Sequence, residues 1–344
     1  MQLLSSSDDD IAKAAEAIKA GGLVAFPTET VYGLGADAFN PAALARIFEA
    51  KNRPRFDPLI VHIAESGALS RIADTAAMSS SSKEKLFILI EQLWPGPLTL
   101  VLPKRPELPD LATAGLATAA VRLPSHPAAQ KLIRLSTGAV AAPSANLFGC
   151  LSPTRAEHVM AQLGAKIDFV IDGGKTPVGV ESTVLDLSRD TPSILRPGGT
   201  SREAIEALIG PVELSTALPA DSHGTQGSPS APRSPGQLKS HYSPHTPLVL
   251  CRRGELIARG EYPNRPPNAA QSEGRLYFSP PGNGELTPSD RVLSATGDTL
   301  EAAANLFDML HELDSLGLEL IRAEEAPETG LGLAINDRLR RAAD

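Results

Sequence analysis

GGLVAFP at residues 21–27 is the stretch from which the fold can be worked out. Its two glycines end a helix predicted over residues 11–20, and the apolar run after them is typical of a short buried strand that Pro27 stops. The alternation continues, because Asn40 is a favoured N-cap residue and Pro41 suits the first position of a helix ending near Ala50. A strand followed by a capped helix is the repeating unit of an α/β fold.

The same alternation extends along the first two thirds of the chain. Short apolar runs predict strands at residues 59–63, 98–102, 119–123, 139–142, 169–171 and 183–187. A helix is predicted to open at Ser152-Pro153 and to end at Gly164, and another is predicted to follow a cap at Thr200-Ser201. The intervals are irregular, which does not match a plain doubly wound sheet.

The last third of the chain predicts a second domain. Residues 214–247 are rich in Ser, Pro, Gly, Thr and His, a composition that cannot bury a core and indicates a linker. Beyond it, strands at 248–251, 276–278 and 318–321 and an amphipathic helix at 300–316 predict a small α/β unit. We therefore expect a first domain at residues 1–213 and a second at residues 248–344.

Composition narrows the class of protein. The 344 residues are 42% apolar and 21% charged, as in globular proteins with a sizeable core, and the net charge of −8 is unlike that of a general nucleic-acid binder. No apolar run approaches the ~20 residues of a membrane span, and the first ten residues do not resemble a signal peptide. Cys150 and Cys251 form no metal or redox spacing. We expect a cytoplasmic protein that does not bind membranes.

Two short motifs carry the chemistry. Lys51 and Arg53, spaced by one residue, suit a polyanion such as a triphosphate. Ser144 and Asn146, with the same spacing, offer a hydroxyl and an amide that can hold a sugar or a phosphate. Each motif follows a predicted helix or strand, although taken alone a Lys-x-Arg is more often an ordinary solvated face.

The surrounding sequence makes a functional interpretation of both motifs more specific. It reads FPTETVYGLG at 26–35, PLIVHI at 58–63, WPGPLT at 94–99, VRLP at 121–124, SPT at 152–154, EST at 181–183, LRPG at 195–198 and SPGQLKSHYSP at 234–244. In this order, over roughly residues 10 to 342, the chain resembles the Sua5/YrdC/YciO family in its longer, Sua5-type form. So many separate stretches in register make the resemblance highly specific.

The resemblance implies a fold and an activity. The fold would be α/β, with a large twisted mixed sheet that has a positively charged concave surface, and a second, smaller α/β C-terminal domain. The activity would be that of an L-threonylcarbamoyladenylate synthase, which condenses L-threonine, bicarbonate and ATP and releases pyrophosphate. The product would pass to a tRNA threonylcarbamoyl transferase complex that modifies the adenosine next to the anticodon, and a weak RNA contact is compatible with this. Mg²⁺ would arrive with ATP, held largely by phosphate oxygens rather than by a protein metal site.

The resemblance also implies which residues contact ATP. Lys51 and Arg53 would bind the triphosphate and act catalytically by neutralising charge at the α-phosphorus. The other expected ATP-binding positions are Thr113, Ser144, Asn146, Ser152, Arg196 and Tyr242. Each of four has a plain structural alternative: a turn residue for Thr113, an N-cap for Ser152, a surface ion pair for Arg196, and a tyrosine that docks the linker for Tyr242. If Tyr242 does contact the nucleotide, the linker is a candidate lid.

The positions implied for L-threonine are Thr28, His62, Arg122 and Ser182. Arg122 suits a carboxylate because a guanidinium can bind one bidentately. His62, at the end of a predicted strand, could bond the threonine hydroxyl or carboxylate, although a lone strand histidine is more often structural. Glu29 is not assigned as a general base, because nothing in the sequence places it near bicarbonate.

One segment departs from the family pattern. Residues 55–57 read Arg-Phe-Asp where the family usually has a short polar stretch ending in Asn. Arg55 could strengthen phosphate binding or pair with Asp57, and the geometry of this loop is open. Two other functions remain as alternatives: an RNA-binding or ribosome-assembly module without catalysis, and carbamoyl transfer. The intact motifs favour the synthase over the first, and the absence of zinc-finger cysteine clusters argues against the second.

Overall fold

The computed structural model describes residues 1–215, 242–256, 273–282 and 286–343, which form two β-sheets with helices packed around them. The strands of the first sheet are β1 Gln2–Leu4, β2 Val24–Phe26, β3 Gly33–Asp37, β4 Ile60–Ile63, β5 Leu98–Pro103, β6 Thr118–Arg122, β7 Ala139–Ala141, β8 Phe169–Ile171, β9 Thr183–Asp186, β10 Ser193–Arg196 and β11 Glu213–Leu214. Those of the second sheet are β12 Leu248–Cys251, β13 Glu273–Tyr277, β14 Asp290–Val292 and β15 Leu320–Glu324.

The helices are distributed over both sheets. They are α1 Asp8–Lys19, α2 Pro41–Lys51, α3 Ser80–Leu93, α4 Asp110–Thr113, α5 Pro127–Leu135, α6 Ala156–Leu163, α7 Arg202–Ile209, α8 Thr299–Asp314 and α9 Gly332–Ala343. Short 3₁₀ turns lie at Ser66–Arg71, Thr75–Ala77 and Gly164–Lys166. None of the helices in the described ranges combines the length and apolar character that a membrane crossing requires.

The first sheet mixes parallel and antiparallel pairs. Its order is β1-β8-β2-β3-β7-β4-β6-β5-β9-β10-β11, so strands distant in sequence lie side by side. β4 is parallel to β6 and antiparallel to β7, while β5 is antiparallel to β6 and parallel to β9. The second sheet has the order β12-β15-β13-β14 and is parallel throughout. The prediction of a large mixed sheet with a smaller second α/β unit is confirmed.

Helix α2 shows how local sequence places a functional residue. The Asn40 side chain accepts hydrogen bonds from the N–H groups of Ala42 and Ala43, as an N-cap does, and Pro41 opens the helix as predicted. At the other end Asn52 adopts a left-handed conformation with φ of 52°, a usual way to stop a helix. Lys51 is therefore the last helical residue, and Arg53 follows the turn.

An apolar and ionic interface joins the two sheets. Tyr242 and Val180 belong to the same apolar cluster as the buried face of helix α8, which includes Phe307. Asp308 on that helix receives Arg155 at 2.7 and 3.0 Å and contacts Lys175 at 2.8 Å. Both cations come from the first unit, so the ion pairs cross the interface.

The backbones also meet at one point of this interface. Gly179 has a φ of +75°, and a Cβ atom there would lie 2.3 Å from the carbonyl oxygen of Ala303 in helix α8. Only glycine suits both constraints, because any side chain would be strained by the backbone and would collide with the helix. The loop and helix α8 can approach this closely because the residue has no side chain.

Several element boundaries differ from those predicted. The helix expected at Ser152-Pro153 begins at Ala156, with Arg155 as its cap residue, so the interpretation of Ser152 as an N-cap is wrong. The Ser152 hydroxyl instead donates to the Glu181 carboxylate at 2.5 Å. The strand expected at 276–278 begins at Glu273. Residues 216–241, most of the predicted 214–247 linker, lie outside the described residues, so the proposed domain limits stay a prediction.

The interface contains a histidine pair that makes stability depend on pH. His158 of helix α6 stacks on His311 of helix α8, with ring centroids 3.8 Å apart and planes 23° apart. Burial, and then the charge of His311, lowers the pKa of His158 to about 3, and burial also lowers the pKa of His311. Both rings are therefore neutral near pH 7, although Asp308 lies 3.9 Å from His158.

We expect the protein to lose stability as the pH falls below the usual histidine range. The unfolded state takes up these protons near pH ~6.5 before the folded state does, so His158 alone costs up to about 2 kcal/mol by pH ~5, and His311 acts in the same direction. Burial raises the pKa of Asp308, but its bonds from Arg155 and Lys175 outweigh this and lower it to about 2, so it stays ionised in this window.

Urea unfolding at several pH values measures the effect. His158→Asn with His311→Asn should flatten the profile, whereas Asp190→Asn, at an exposed position, should not. An unchanged profile in the double variant would contradict the assignment.

Candidate functional site

A cleft opens on the first sheet and is closed on one side by Tyr242. Its walls are Thr28, Thr30, Val31, Gly33, Arg53, Ile60, His62, Arg122, Ala142, Pro143, Ser144, Glu181, Ser182, Arg196 and Tyr242. These residues come from loops beside several strands that are far apart in sequence. The free space is about 40 Å³, whereas sites for drug-sized ligands usually hold several hundred. A nucleotide therefore needs part of the wall to move.

Lys51 connects the two motifs that the sequence singles out. Its side chain is buried, and its Nζ donates hydrogen bonds to the carbonyl oxygens of Ser144, at 2.5 Å, and of Asn146. Burial, and then the charge of Arg53, holds the pKa of Lys51 well below its usual value. Lys51 lies behind the cleft wall rather than in it, and it fixes the loop that presents Ser144.

The neighbouring cation, Arg53, does line the cleft and has a buried counter-charge. Its Nη2 lies 2.8 Å from Oδ2 of Asp57 and donates to the carbonyl oxygen of Pro58 at 3.0 Å. Asp57 is fully buried and Arg55 is exposed, so the expected alternative of an Arg55–Asp57 pair is wrong. Burial raises the pKa of Asp57, and the charges of Arg53 and Lys51 oppose that rise. Asp57 is a component of the site that the motif comparison did not select.

The residues implied for L-threonine meet in one part of the cleft. Strands β4 and β6 are parallel neighbours and place His62 directly beside Arg122. Burial, and then the charge of Arg122, lowers the pKa of His62 to about 3, so this imidazole is neutral, and its Nδ1 lies 3.1 Å from the carbonyl oxygen of Ile60. The Arg122 guanidinium contacts Glu29 at 2.8 Å, and the second Glu29 oxygen accepts a hydrogen bond from the Ser125 N–H.

Thr28 and Ser182 complete this part with hydroxyl groups. The Thr28 hydroxyl donates to the carbonyl oxygen of Val31 at 2.6 Å, so it also closes its own loop as the structural alternative predicts. The Ser182 hydroxyl lies 2.7 Å from that of Thr99 on strand β5. Arg196, from the end of strand β10, donates to the Ser182 carbonyl oxygen at 2.9 Å. The threonine set and the nucleotide set are therefore in direct contact through Ser182 and Arg196.

The other predicted nucleotide residues differ in position. Asn146 donates from Nδ2 to the carbonyl oxygens of Leu147 and Cys150, while its buried Oδ1 has no hydrogen-bond partner within the described ranges. Ser152 stands behind the wall and is bonded to Glu181. The Thr113 hydroxyl donates to backbone carbonyl oxygens of its own turn, and Thr113 is not among the residues that line the cleft.

Two charged residues of the site were not among the positions selected from the sequence: Glu181, although it lies in the EST stretch, and Arg338, which lies in none of the stretches. Glu181 lines the cleft beside Ser182. Arg338, which belongs to helix α9 of the second unit, donates a hydrogen bond to Glu181 at 2.7 Å. One sequence signal could have found Arg338. It lies on the face of helix α9 that buries Ala334, Ile335 and Leu339, where a charged residue is unusual without a partner. Among the residues described here, no cluster of three or more His, Cys, Asp or Glu side chains could hold a metal ion.

Comparison with known proteins agrees with this arrangement. Residues 16–198 match the Sua5_yciO_yrdC family model, described as "Telomere recombination", and residues 200–344 match Sua5_C, the threonylcarbamoyl-AMP synthase C-terminal domain. The chain belongs to the Sua5/YrdC/YciO family. It has the two-domain, Sua5-type form of that family, because both models match along one chain.

Relatives of this family are similar over nearly the full length. The chain is 42% identical to the threonylcarbamoyl-AMP synthase of Bacillus subtilis, covering 99% of this chain and 94% of the relative. It is 44% identical to that of Pyrococcus abyssi, covering 96% and 93%. The crystal structure of P. abyssi Sua5 complexed with L-threonine matches with a TM-score of 0.84 and 38% identity, covering 100% of this chain and 98% of that one.

Asp57 gives a prediction about charge in the cleft. Asp57→Asn removes one negative charge from beside Arg53 and keeps the size and shape of the side chain. We expect ATP to bind about fivefold more tightly, which corresponds to roughly 1 kcal/mol of relieved repulsion at intermediate dielectric. Because a buried ion pair is lost, the free energy of unfolding should fall by about 1–3 kcal/mol.

Calorimetric titration with ATP at fixed salt, together with urea unfolding, measures both effects. Asp190→Asn, at an exposed position, is the matched control. Unchanged or weaker ATP binding in folded Asp57→Asn would show that the nucleotide needs Arg53 held by a carboxylate.

Proposed function

We propose that this chain is an L-threonylcarbamoyladenylate synthase. The observation that carries the proposal is the meeting of two sets of cations in one cleft: Arg53 and Arg196 beside Ser144, and Arg122 beside His62. One set suits the phosphates of ATP and the other suits the carboxylate of an amino acid. The full-length similarity to proteins named threonylcarbamoyl-AMP synthase supports the same activity.

The proposed reaction has two bond-forming steps. The threonine amine and bicarbonate form a carbamate and release water, and a carbamate oxygen then attacks the α-phosphorus of ATP. A new P–O bond forms as the bond to the β-phosphate oxygen breaks, so threonylcarbamoyl-AMP and pyrophosphate leave. The chain must therefore hold the amine near the α-phosphate and stabilise the charge that moves onto the leaving group.

Arg122 is the proposed carboxylate ligand for L-threonine. Its guanidinium is already paired with Glu29, which holds the planar group in one orientation and leaves other N–H groups to bind substrate. The neutral His62 adds no charge to a pocket that has to accept a zwitterion. Thr28 and Ser182 supply hydroxyl groups around it. The P. abyssi relative in complex with L-threonine supports placing the amino acid in this fold.

The nucleotide is proposed to bind on the side of Arg53, Ser144 and Arg196. Lys51 would act mainly by holding the loop of residues 144–146, because its ammonium is bonded to two carbonyl oxygens of that loop. Mg²⁺ is proposed to enter bound to ATP as part of the substrate. Thr113 is proposed to support the nucleotide side from outside the cleft wall.

Tyr242 is proposed to cover the bound nucleotide. It is buried, lines the narrow cleft and has a φ of 65°, an unusual conformation for a bulky residue that must be held by its surroundings. Movement of Tyr242 would admit ATP, and its return would keep water from the mixed anhydride. The rest of the proposed lid, including His241, lies outside the described residues.

The alternative of an RNA-binding module has less support. It would need a basic patch, for which Lys51, Arg53, Arg55 and Arg122 are the candidates; of these four, the first two and Arg122 are buried and Arg55 is exposed. Buried cations can contact a small ligand that enters a cleft, but they do not present a surface to an RNA backbone. Transfer of the product to a tRNA-modifying complex, a weak RNA contact and a cytoplasmic location remain predictions.

The first test is substrate dependence. Pyrophosphate release from ATP should require L-threonine and bicarbonate together, because the proposed attack on the α-phosphorus needs the carbamate that they form. A coupled pyrophosphate assay, with each substrate omitted in turn, measures this. Equal turnover of ATP without threonine would rule out the proposed reaction, and detection of threonylcarbamoyl-AMP by mass spectrometry would identify the product.

The second test separates the two sides of the cleft. Lys51→Ala should lower kcat/KM for ATP about 10²–10³-fold, since it removes a charge and releases the 144–146 loop. Arg122→Ala should mainly raise the KM for threonine, and Tyr242→Ala should lower the yield of intact product. Steady-state kinetics with each substrate varied makes the comparison, with Lys19→Ala as an exposed control. The same loss toward both substrates in Lys51→Ala and Arg122→Ala would contradict this division of roles.

A further inference from the structure

Arg338 is a charged residue of the second unit that lies inside the wall of the cleft formed by the first. It is 1% exposed, although it is the largest of the fully buried side chains in the described ranges. Its Nε donates to Glu181 at 2.7 Å, its Nη1 donates to Asp337 at 2.6 Å, and its guanidinium carbon lies 5.0 Å from the centroid of the Tyr242 ring. A buried guanidinium with these contacts is held in one position by both units.

Glu181 depends on this contact to remain a carboxylate inside the protein. One of its oxygens accepts from Ser152 and the other accepts from Arg338. Burial alone would raise the pKa of Glu181, but the charges of Arg338 and then Arg196 outweigh burial and lower it to about 2. A buried carboxylate without its cation is strongly unfavourable, so loss of Arg338 would force Glu181 toward another positive group. Arg196, which lines the cleft together with Glu181, is one such group.

Two contacts of Arg338, those with Glu181 and Tyr242, concern the nucleotide side. Glu181 is bonded to Ser152, Arg196 donates to the carbonyl oxygen of the next residue, Ser182, at 2.9 Å, and Arg338 itself lies over Tyr242. Arg196 and Tyr242, both proposed to contact ATP, are thereby linked to this one ion pair. The threonine side is held by other groups, because Arg122 is paired with Glu29 and His62 is bonded to Ile60. Within the described part of the chain, Arg122 and His62 therefore make no contact with the Arg338–Glu181 pair, while Ser182, which accepts from Arg196, is where the two sides meet.

We propose that Arg338 is a positioning residue for the nucleotide side of the cleft, supplied by the C-terminal domain. It fixes Glu181, which holds the adjoining part of the wall with Ser182 and Arg196 in place, and it supports the ring of Tyr242 in the closed position. The second domain thus takes part in ATP binding through this side chain. The inference rests on the proposed function for the identity of the nucleotide and adds a role that none of the sequence motifs assigns.

The test compares Arg338→Gln with the unchanged chain in the pyrophosphate assay. We expect the KM for ATP to rise at least about tenfold, within the usual range for coupling between two parts of a protein, and the KM for threonine to stay within about twofold. Arg340→Gln, on the exposed side of the same helix, should behave like the unchanged chain. Asp308→Asn weakens the domain interface away from the cleft and should not raise the KM for ATP selectively.

A second pair of variants tests the ion pair itself. The double variant with Glu181→Gln and Arg338→Gln should bind ATP better than Arg338→Gln alone. The reason is that Glu181→Gln removes the buried carboxylate that Arg338→Gln would leave unpaired. Arg338→Lys keeps the charge but cannot reproduce the forked contacts, and it should restore ATP binding in part. Circular dichroism and thermal melting establish that each variant is folded, and Glu181→Gln probes the pair even if Arg338→Gln does not fold.

Several outcomes would overturn the proposal. They are an unchanged KM for ATP in folded Arg338→Gln, equal rises in both KM values, and an equal ATP-selective effect in Asp308→Asn.

Calorimetric titration with ATP alone separates this inference from the proposed function. If the unchanged chain makes no threonylcarbamoyl-AMP but binds ATP, and Arg338→Gln weakens that binding, the proposed reaction fails while the role of Arg338 stands. If product forms normally in Arg338→Gln at low ATP, the reaction stands and the role of Arg338 fails.

Discussion

The arrangement of the cleft depends on one buried ammonium group. Lys51 ends helix α2 and binds the carbonyl oxygens of residues 144 and 146, so it joins a helix to a loop more than ninety residues further along the chain. An ammonium ion taken out of water is unfavourable unless its N–H groups find acceptors, and these two carbonyl groups provide them. The same contacts satisfy two loop carbonyl groups that would otherwise be costly to bury. The helix, the loop and the cation thus require one another.

The charges around this ammonium follow a consistent pattern. Arg53 has Asp57, Arg122 has Glu29, and Arg338 has Glu181, and in each pair both side chains are buried. Each carboxylate reduces the cost of burying its cation and holds the planar guanidinium in a fixed orientation. The cleft can therefore present several cations without being a generally basic surface, which agrees with the acidic net charge of −8.

Much of the fold and part of the site could be predicted from the sequence. Caps such as Asn40-Pro41, short apolar strands and the ordered motifs are local signals, and they identified the α/β class and the wall residues Arg53, Ser144 and Arg122. Partners distant in sequence could not be predicted in this way. An N-cap was the structural alternative to a nucleotide contact for Ser152, but its hydroxyl donates to Glu181, 29 residues away. Arg338 is 157 residues from Glu181 and belongs to no motif, so only the packing of the two units reveals it.

The close approach at Gly179 has a consequence for how mutations in this protein would be interpreted. A substitution there would push helix α8 away from the first unit, because even a methyl group would collide with the backbone near Ala303. Helix α8 carries Phe307, which packs against Tyr242 with ring centroids 5.6 Å apart. In a genetic screen such a mutation would abolish function while every substrate-binding side chain remained intact. Its effect would look like a catalytic defect, although its cause is a side chain that prevents the two halves of the enzyme from packing together.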